Sequence, residues 1–165
     1  VPGFDVLYKQ TVTLFNRINS VGEPVDGSHV LKTTETLWKP VLLENVHLIV
    51  DRSIIISAYG EQASDNAMLH VRYQQKGDGA YVDGMKYYQP KEWNQLGSHD
   101  GALTFQFGEN FDFFIEGDKT SLGIVRDDDY RNGFFNYANK TYDNCFAISS
   151  VSKFNLIYHF EIGAK

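Results

Sequence analysis

The sequence predicts a mainly β domain, an antiparallel two-sheet sandwich, on three observations. Short runs rich in β-branched and aromatic residues recur along the chain, turn residues separate them, and apolar and polar positions alternate within several of them. Aromatic residues make up 15% of the 165 residues, a surplus that calls for an aromatic core, an aromatic binding face or both. A chain of this length is read as one domain, 1–165, able to bury a core without metal or disulfide staples. No repeat, low-complexity tract or linker argues for a second.

The first segment carries two patterns. In 4–22, Leu7, Thr11, Leu14, Phe15 and Ile18 share a helical face, with Asp5 as N-cap and Gly22 as a stop. Within it, QTVTLF alternates and is β-branched, which favours a strand. The strand is preferred; the alternative is a curved antiparallel sheet clasping an N-terminal helix at about residues 5–20. Residues 19–36 read as a long connection. Strands are then expected at 40–50, 53–59, 67–74, 101–108, 110–117, 121–126, 134–138 and 153–162. Leu103, Phe105 and Phe107, then Phe111, Phe113 and Ile115, and Phe154, Leu156, Tyr158 and Phe160 each read as one buried face of a half-wet strand. Gly108-Glu109-Asn110 and 116–121 read as hairpin connections, and 126–133 as a polar loop ending in Gly133.

Charge and cysteine content narrow the function. A net charge of −6 without a Lys/Arg cluster opposes nucleic acid as a partner. No stretch approaches the length of an apolar membrane span, so no membrane insertion is expected. The N-terminus lacks a signal-peptide layout, and VPGF looks like the cut edge of a larger protein. A single cysteine, Cys145, excludes an internal disulfide; set in YDNCFAI, it reads as a small buried apolar group. Asp127, Asp128 and Asp129 lack the ligand spacing of a calcium loop and read as a solvated acidic loop, so no metal is expected. There is no phosphate loop, dinucleotide fingerprint, His-Glu-x-x-His or serine elbow. The reading is non-enzymatic, with no catalytic residue and no cofactor.

Recognition chemistry remains. Sugars present apolar C–H faces and dense hydroxyls, which suit an aromatic ring flanked by fixed polar groups. The segment MKYYQPKEWNQLG (85–97) offers Tyr87, Tyr88, Trp93 and Asn94, and alternation predicts that one of the two tyrosines points inward. On the strand at 67–74, His70, Arg72 and Gln74 project to one face and Leu69, Val71 and Tyr73 to the other.

The order of these features resembles a galectin. That family's sugar-binding strand of the His-x-Asn-x-Arg type, its Val-x-Asn, its Trp-x-x-Glu-x-Arg and its later Gly-x-x-Phe-Asp strand are met by LHVRYQ (69–74), YVDG (81–84), EWNQLGS (92–98) and GENFDFFI (108–115). His70 and Trp93 match; Arg72, Gln74, Asp83, Leu96 and Ser98 stand in place of the family's residues. The chain is also similar in size and layout to the head domain of the rotavirus spike protein, a trypsin-released glycan-binding fragment with a galectin-like fold in several groups of the virus. Trp38 leading into KPVLLENV (39–46), and NGFFNYANKTYD (132–143), carry that resemblance. By it, Phe134 and Phe135 stand where paired tyrosines border the sialoside groove, and Leu37 stands where an arginine is expected.

Both resemblances imply a galectin-like, carbohydrate-binding domain. The rotavirus likeness implies a viral attachment spike at the virion surface (outer capsid), with the rest of a spike protein and host glycans as partners. Glycans of galactose or N-acetyllactosamine type are expected ahead of sialic acid. The expected site has Trp93 as stacking platform, His70, Arg72 and Asp83 as hydroxyl contacts, Tyr87 and Tyr88 as groove walls and Asn94 beside the ring. Trp93→Ala is expected to abolish binding with little change in Tm. A cellular galectin-related protein or protein-interaction module, cytoplasmic or secreted without disulfides, is the competing reading, and a glycoside-cleaving jelly roll the third.

Overall fold

A computed structural model describes residues 8–21, 34–60 and 65–165. These residues are mainly β, with a large antiparallel sheet and a second, smaller sheet. The large sheet is built on two long strands, β1 (Gln10–Val21) and β2 (Thr34–Ile49), which pair antiparallel along nearly their whole lengths. The segment that reads as either helix or strand is thus a strand over 10–21, and the N-terminal helix is not formed there; residues 5–7 lie outside the described residues. Its double pattern has a physical cause: residues 12–16 are buried on both faces, so apolar side chains are not confined to alternate positions.

The pairing closes on itself. β3 (Ala67–Arg72) pairs with the end of β2, and β11 (His159–Ala164) pairs with β3. β10 (Cys145–Phe154) pairs with β11, β8 (Phe113–Glu116) with β10, and β1 with β8. A register shift between β1 and β2, with Asn45 at φ 56°, bends β2 from one partner to the next; β10 has a similar shift between Ile148 and Ser150. The short β9 (Val125–Arg126) adds to the other edge of β2. Inside the ring lies a largely aliphatic core that includes Val12, Leu14, Leu43, Leu69, Val71, Phe114, Phe160 and Ile162.

The smaller sheet consists of β4 (Gln74–Lys76), β5 (Gly79–Val82), β6 (Met85–Tyr87) and β7 (Ala102–Leu103), the last pair parallel. Asp83 and Gly84 both take positive φ, 49° and 81°, as a two-residue hairpin turn between β5 and β6 requires. Ala80, Val82 and Leu103 tie this sheet to the aliphatic core, and Phe105 just beyond it joins the same core.

Several expected strands are corrected. Residues 53–59 lie within a helix, α1 (Arg52–Tyr59): Asp51 caps it, accepting from the Ser53 and Ile54 N–H groups at 2.9 and 3.4 Å, and Gly60 ends it at φ 95°. These end signals outweigh the β-branched run Ile54-Ile55-Ile56. Residues 134–138 lie in α3 (Phe134–Thr141), which buries Phe134 and Ala138, one turn apart, on a second and more aromatic core with Phe15, Trp38, Phe113 and Val125. The run 153–162 is split by a turn at 155–158, so Leu156 is 98% exposed and its expected buried face does not exist. Residues 104–107 join no sheet, and Phe107 and Phe111 are exposed. Gly108-Glu109-Asn110 does turn the chain, but β7 and β8 on either side pair with other strands. Among the described residues no helix is long and apolar enough to cross a membrane.

Candidate functional site

The polar segment 104–107 shows how the site is held. Although it lacks a strand partner, Thr104, Phe105 and Gln106 are buried, so its backbone groups must bond to side chains. Asn16 of β1 supplies two of these bonds: its Nδ2 donates to the Thr104 carbonyl at 2.6 Å, and its Oδ1 accepts from the Thr104 N–H at 3.3 Å. Asp112 holds the Gln106 N–H. Its carboxylate accepts from Asn16 Nδ2, the Arg17 N–H and the Gln106 N–H, each at 2.8 Å, and from Gln106 Nε2 at 3.0 Å. Burial pushes the Asp112 carboxyl up to about 7, against four donors that favour its ionised form.

This network fixes one wall of a cleft of about 570 Å³, within the range of small-ligand sites. Arg17 leaves β1 above Asp112; its guanidinium donates to the Asn110 carbonyl at 2.7 Å and to Thr36 Oγ1 at 3.4 Å, and lies 5.5 Å from the centre of the Phe111 ring. Arg17 Nε is buried with no hydrogen-bond partner. On the opposite side, Asp127 Oδ1 accepts from the Trp38 indole at 3.0 Å and from the Phe134 N–H at 2.9 Å, which locks the start of α3 to β2. Gly133 enters that helix at φ 87°, where a Cβ would press on the Asp127 carboxylate at 3.3 Å. Asp127 is thus a brace rather than part of a merely solvated loop, while Asp128 and Asp129 are exposed. Phe135 lines the cleft with its ring 5.0 Å from Phe113, and Asn136 donates to the Asn132 carbonyl at 2.6 Å beside it. Of the paired phenylalanines, Phe134 belongs to the core and Phe135 to the cleft. Thr36 and Trp38 face the cleft, as alternation on β2 requires, and Leu37 between them does not line it.

None of the seven residues singled out from sequence lines this cleft. Trp93 is fully buried at the end of α2 (Pro90–Trp93), its indole donating to the Arg17 carbonyl at 3.1 Å and its ring packed on His99. It is not an exposed stacking platform; it supports β1 from behind. Asn94 follows it, exposed, as the C-cap. Tyr87 packs on Phe105 and Phe160, with ring centres 5.8 and 4.8 Å away, so it belongs to the core side, whereas Tyr88 lies beneath Lys86 Nζ at 5.2 Å. Asp83 stands at the β5–β6 turn, where it accepts from the Glu44 N–H at 2.9 Å; burial raises its carboxyl above the ordinary value.

His70 and Arg72 do share one face of β3, but Gln74 has left for the smaller sheet. Arg72 lies 4.6 Å from the centre of the Tyr8 ring, and His70 is flanked by His47 and His159, with ring centres 5.6 and 6.1 Å away. Cys145 is buried in the aromatic core, and that burial pushes its thiol up to about 12, which leaves it inert as a nucleophile. The cleft residues escape sequence reasoning because they come from separate parts of the chain: one or two each from β1, β2, α3 and the 3-10 segment Asp127–Asp129, and four from the turn at 108–111. No family model, curated protein or solved structure matches the chain.

Proposed function

We propose that the chain is a non-enzymatic carbohydrate-binding domain, galectin-like in kind, of a viral attachment spike, and that the cleft between Arg17 and α3 is where it holds host glycan. The observation that carries this reading is the composition of the cleft. Phe111 and Phe135 offer aromatic surface to a sugar's C–H face, while Asn132, Asn136, the Asn110 backbone and Thr36 offer donors and acceptors to hydroxyls. Trp38 and Phe134-Phe135, which carry the resemblance to the rotavirus spike head, stand at this cleft or directly beneath it.

Arg17 is matched in the cleft by Glu109 and Asp127, and its guanidinium is already bound to Asn110 and Thr36. That balance favours neutral galactose or N-acetyllactosamine glycans over sialic acid. A glycan array probed with the folded chain tests the reading: retention of galactose-terminated glycans, lost in Phe135→Ala, supports it, and a blank array at high protein concentration overturns it. A protein-interaction module is the second reading. It is favoured by the apolar end of β10 and the turn after it, where Phe154, Leu156, Ile157 and Tyr158 are all exposed.

A further inference from the structure

On the outer face of the large sheet, three strands bring three histidines and a glutamate together. His47 of β2 stands opposite His70 of β3, His70 stands opposite Glu161 of β11, and His159 lies two residues before Glu161 on the same face. One donor atom from each of His70, His159 and Glu161 lies within 4.8 Å of the other two.

The orientation of His159 follows from its partners. Its Nδ1 donates to the Ile157 carbonyl oxygen at 2.7 Å, which turns Nε2 toward Glu161. That atom meets Glu161 Oε1 at 3.3 Å. An imidazole nitrogen and a carboxylate oxygen at this distance can share either a proton or a metal ion. The same spacing, about 3.3 Å, is the ligand-to-ligand edge of a tetrahedral site with bonds of about 2.0–2.1 Å. The third donor separates the two cases: one proton serves a pair, whereas a metal ion draws in His70 as well. The Ile157 carbonyl orients His159 as a ligating imidazole requires.

We propose that His70, His159 and Glu161 form a site for a divalent transition-metal ion of the zinc class, with the remaining position open to water or to His47. The site is made by strand pairing on a different face from the cleft and rests on no part of the glycan reading.

Zn²⁺ alone, titrated calorimetrically into the full chain at neutral pH, and Co²⁺ alone, followed by visible absorption, test the proposal. Expected are one saturable equivalent, a rise in Tm reversed by chelator, and the absorption of a low-coordinate N/O site. His70→Ala, His159→Ala and Glu161→Gln should each weaken binding by at least about 10-fold, the lower end of what disturbing a metal's surroundings costs. His99→Ala, which alters a histidine packed on Trp93 instead, should leave it unchanged. Affinity should fall on acidification, because a ligating imidazole must give up its proton to bind the ion. Glu161→Gln preserves shape, so its loss is read in a folded chain. Absence of saturable binding at millimolar Zn²⁺, or binding that all three substitutions leave intact, would overturn the proposal.

Discussion

The cleft beside α3 and the histidine face of β3 are assembled in opposite ways. The histidine face is a product of strand alternation: His47, His70, His159 and Glu161 are outward positions on paired strands, and the ladder alone brings them together. The cleft has no such ladder. It exists because two buried or half-buried carboxylates, Asp112 and Asp127, bind irregular backbone and an indole to the ends of regular elements. A surface built by the ladder should tolerate the loss of any one outward side chain, whereas a surface built by carboxylate braces should fail when a brace is removed.

The largest effect is expected from removing the brace. Asp112→Ala leaves the Arg17 and Gln106 backbone N–H groups without an acceptor in a buried site and takes one of two acceptors from each of the Asn16 and Gln106 side-chain amides; at about 1–3 kcal/mol for each unsatisfied group, it should destabilise the fold by about 4 kcal/mol in chemical denaturation. Zn²⁺ binding at the histidine face of whatever fraction stays folded should persist. Trp93→Ala follows closely. Loss of a fully buried ring and of its bond to the Arg17 carbonyl should cost about 3–5 kcal/mol, the reverse of the small change in Tm that an exposed platform would give.

Asp112 also sets a pH dependence. With the carboxyl moved from 3.8 to about 7 by burial, the folded chain holds a proton between these values that the unfolded chain has lost. Stability from this group is therefore full below the unfolded value and declines as pH rises, by about 1.4 kcal/mol per pH unit, until it levels off near the folded value. Denaturation midpoints should fall between mildly acidic and neutral pH in the wild type, and this component should be absent in Asp112→Asn. Phe135→Ala removes a half-buried cleft ring; glycan affinity should drop by at least about tenfold, or 1.4 kcal/mol, with a smaller loss of stability than Trp93→Ala. The smallest signal concerns Cys145: a thiol raised to about 12 should stay unmodified by a thiol reagent in the native chain and react only on unfolding.

What the sequence made legible divides along the same line. Alternation placed His70 and Arg72 together on one face and Leu69 and Val71 on the other, and that survives. It failed where a strand stops: Gln74 continues the alternation on paper, yet the chain turns into another sheet at Tyr73, whose N–H bonds to the Tyr158 carbonyl at 3.1 Å. End signals carry more weight than β-propensity in these segments. Asp51 and Gly60 bracket α1, Asp83-Gly84 is a hairpin turn, and Gly133 opens α3. Trp93 was misplaced because polar neighbours suggest a surface; its short helix in fact exposes Lys91 and Glu92 while driving the indole under β1. The partners of His70 required strand order, and the role of Asp112 required knowing that residues 104–106 are buried without a ladder. Neither is written in local pattern.

The measurement that separates the two faces most directly is a heteronuclear NMR titration of the chain with N-acetyllactosamine. Binding in the cleft predicts progressive shifts of the Trp38 indole N–H, the Asn132 and Asn136 side-chain amides and the Phe135 backbone, with the amides of His70, Arg72, Asp83 and Tyr88 unmoved. Shifts confined to His70, Arg72, Asp83 and Tyr88, with the cleft silent, would contradict it.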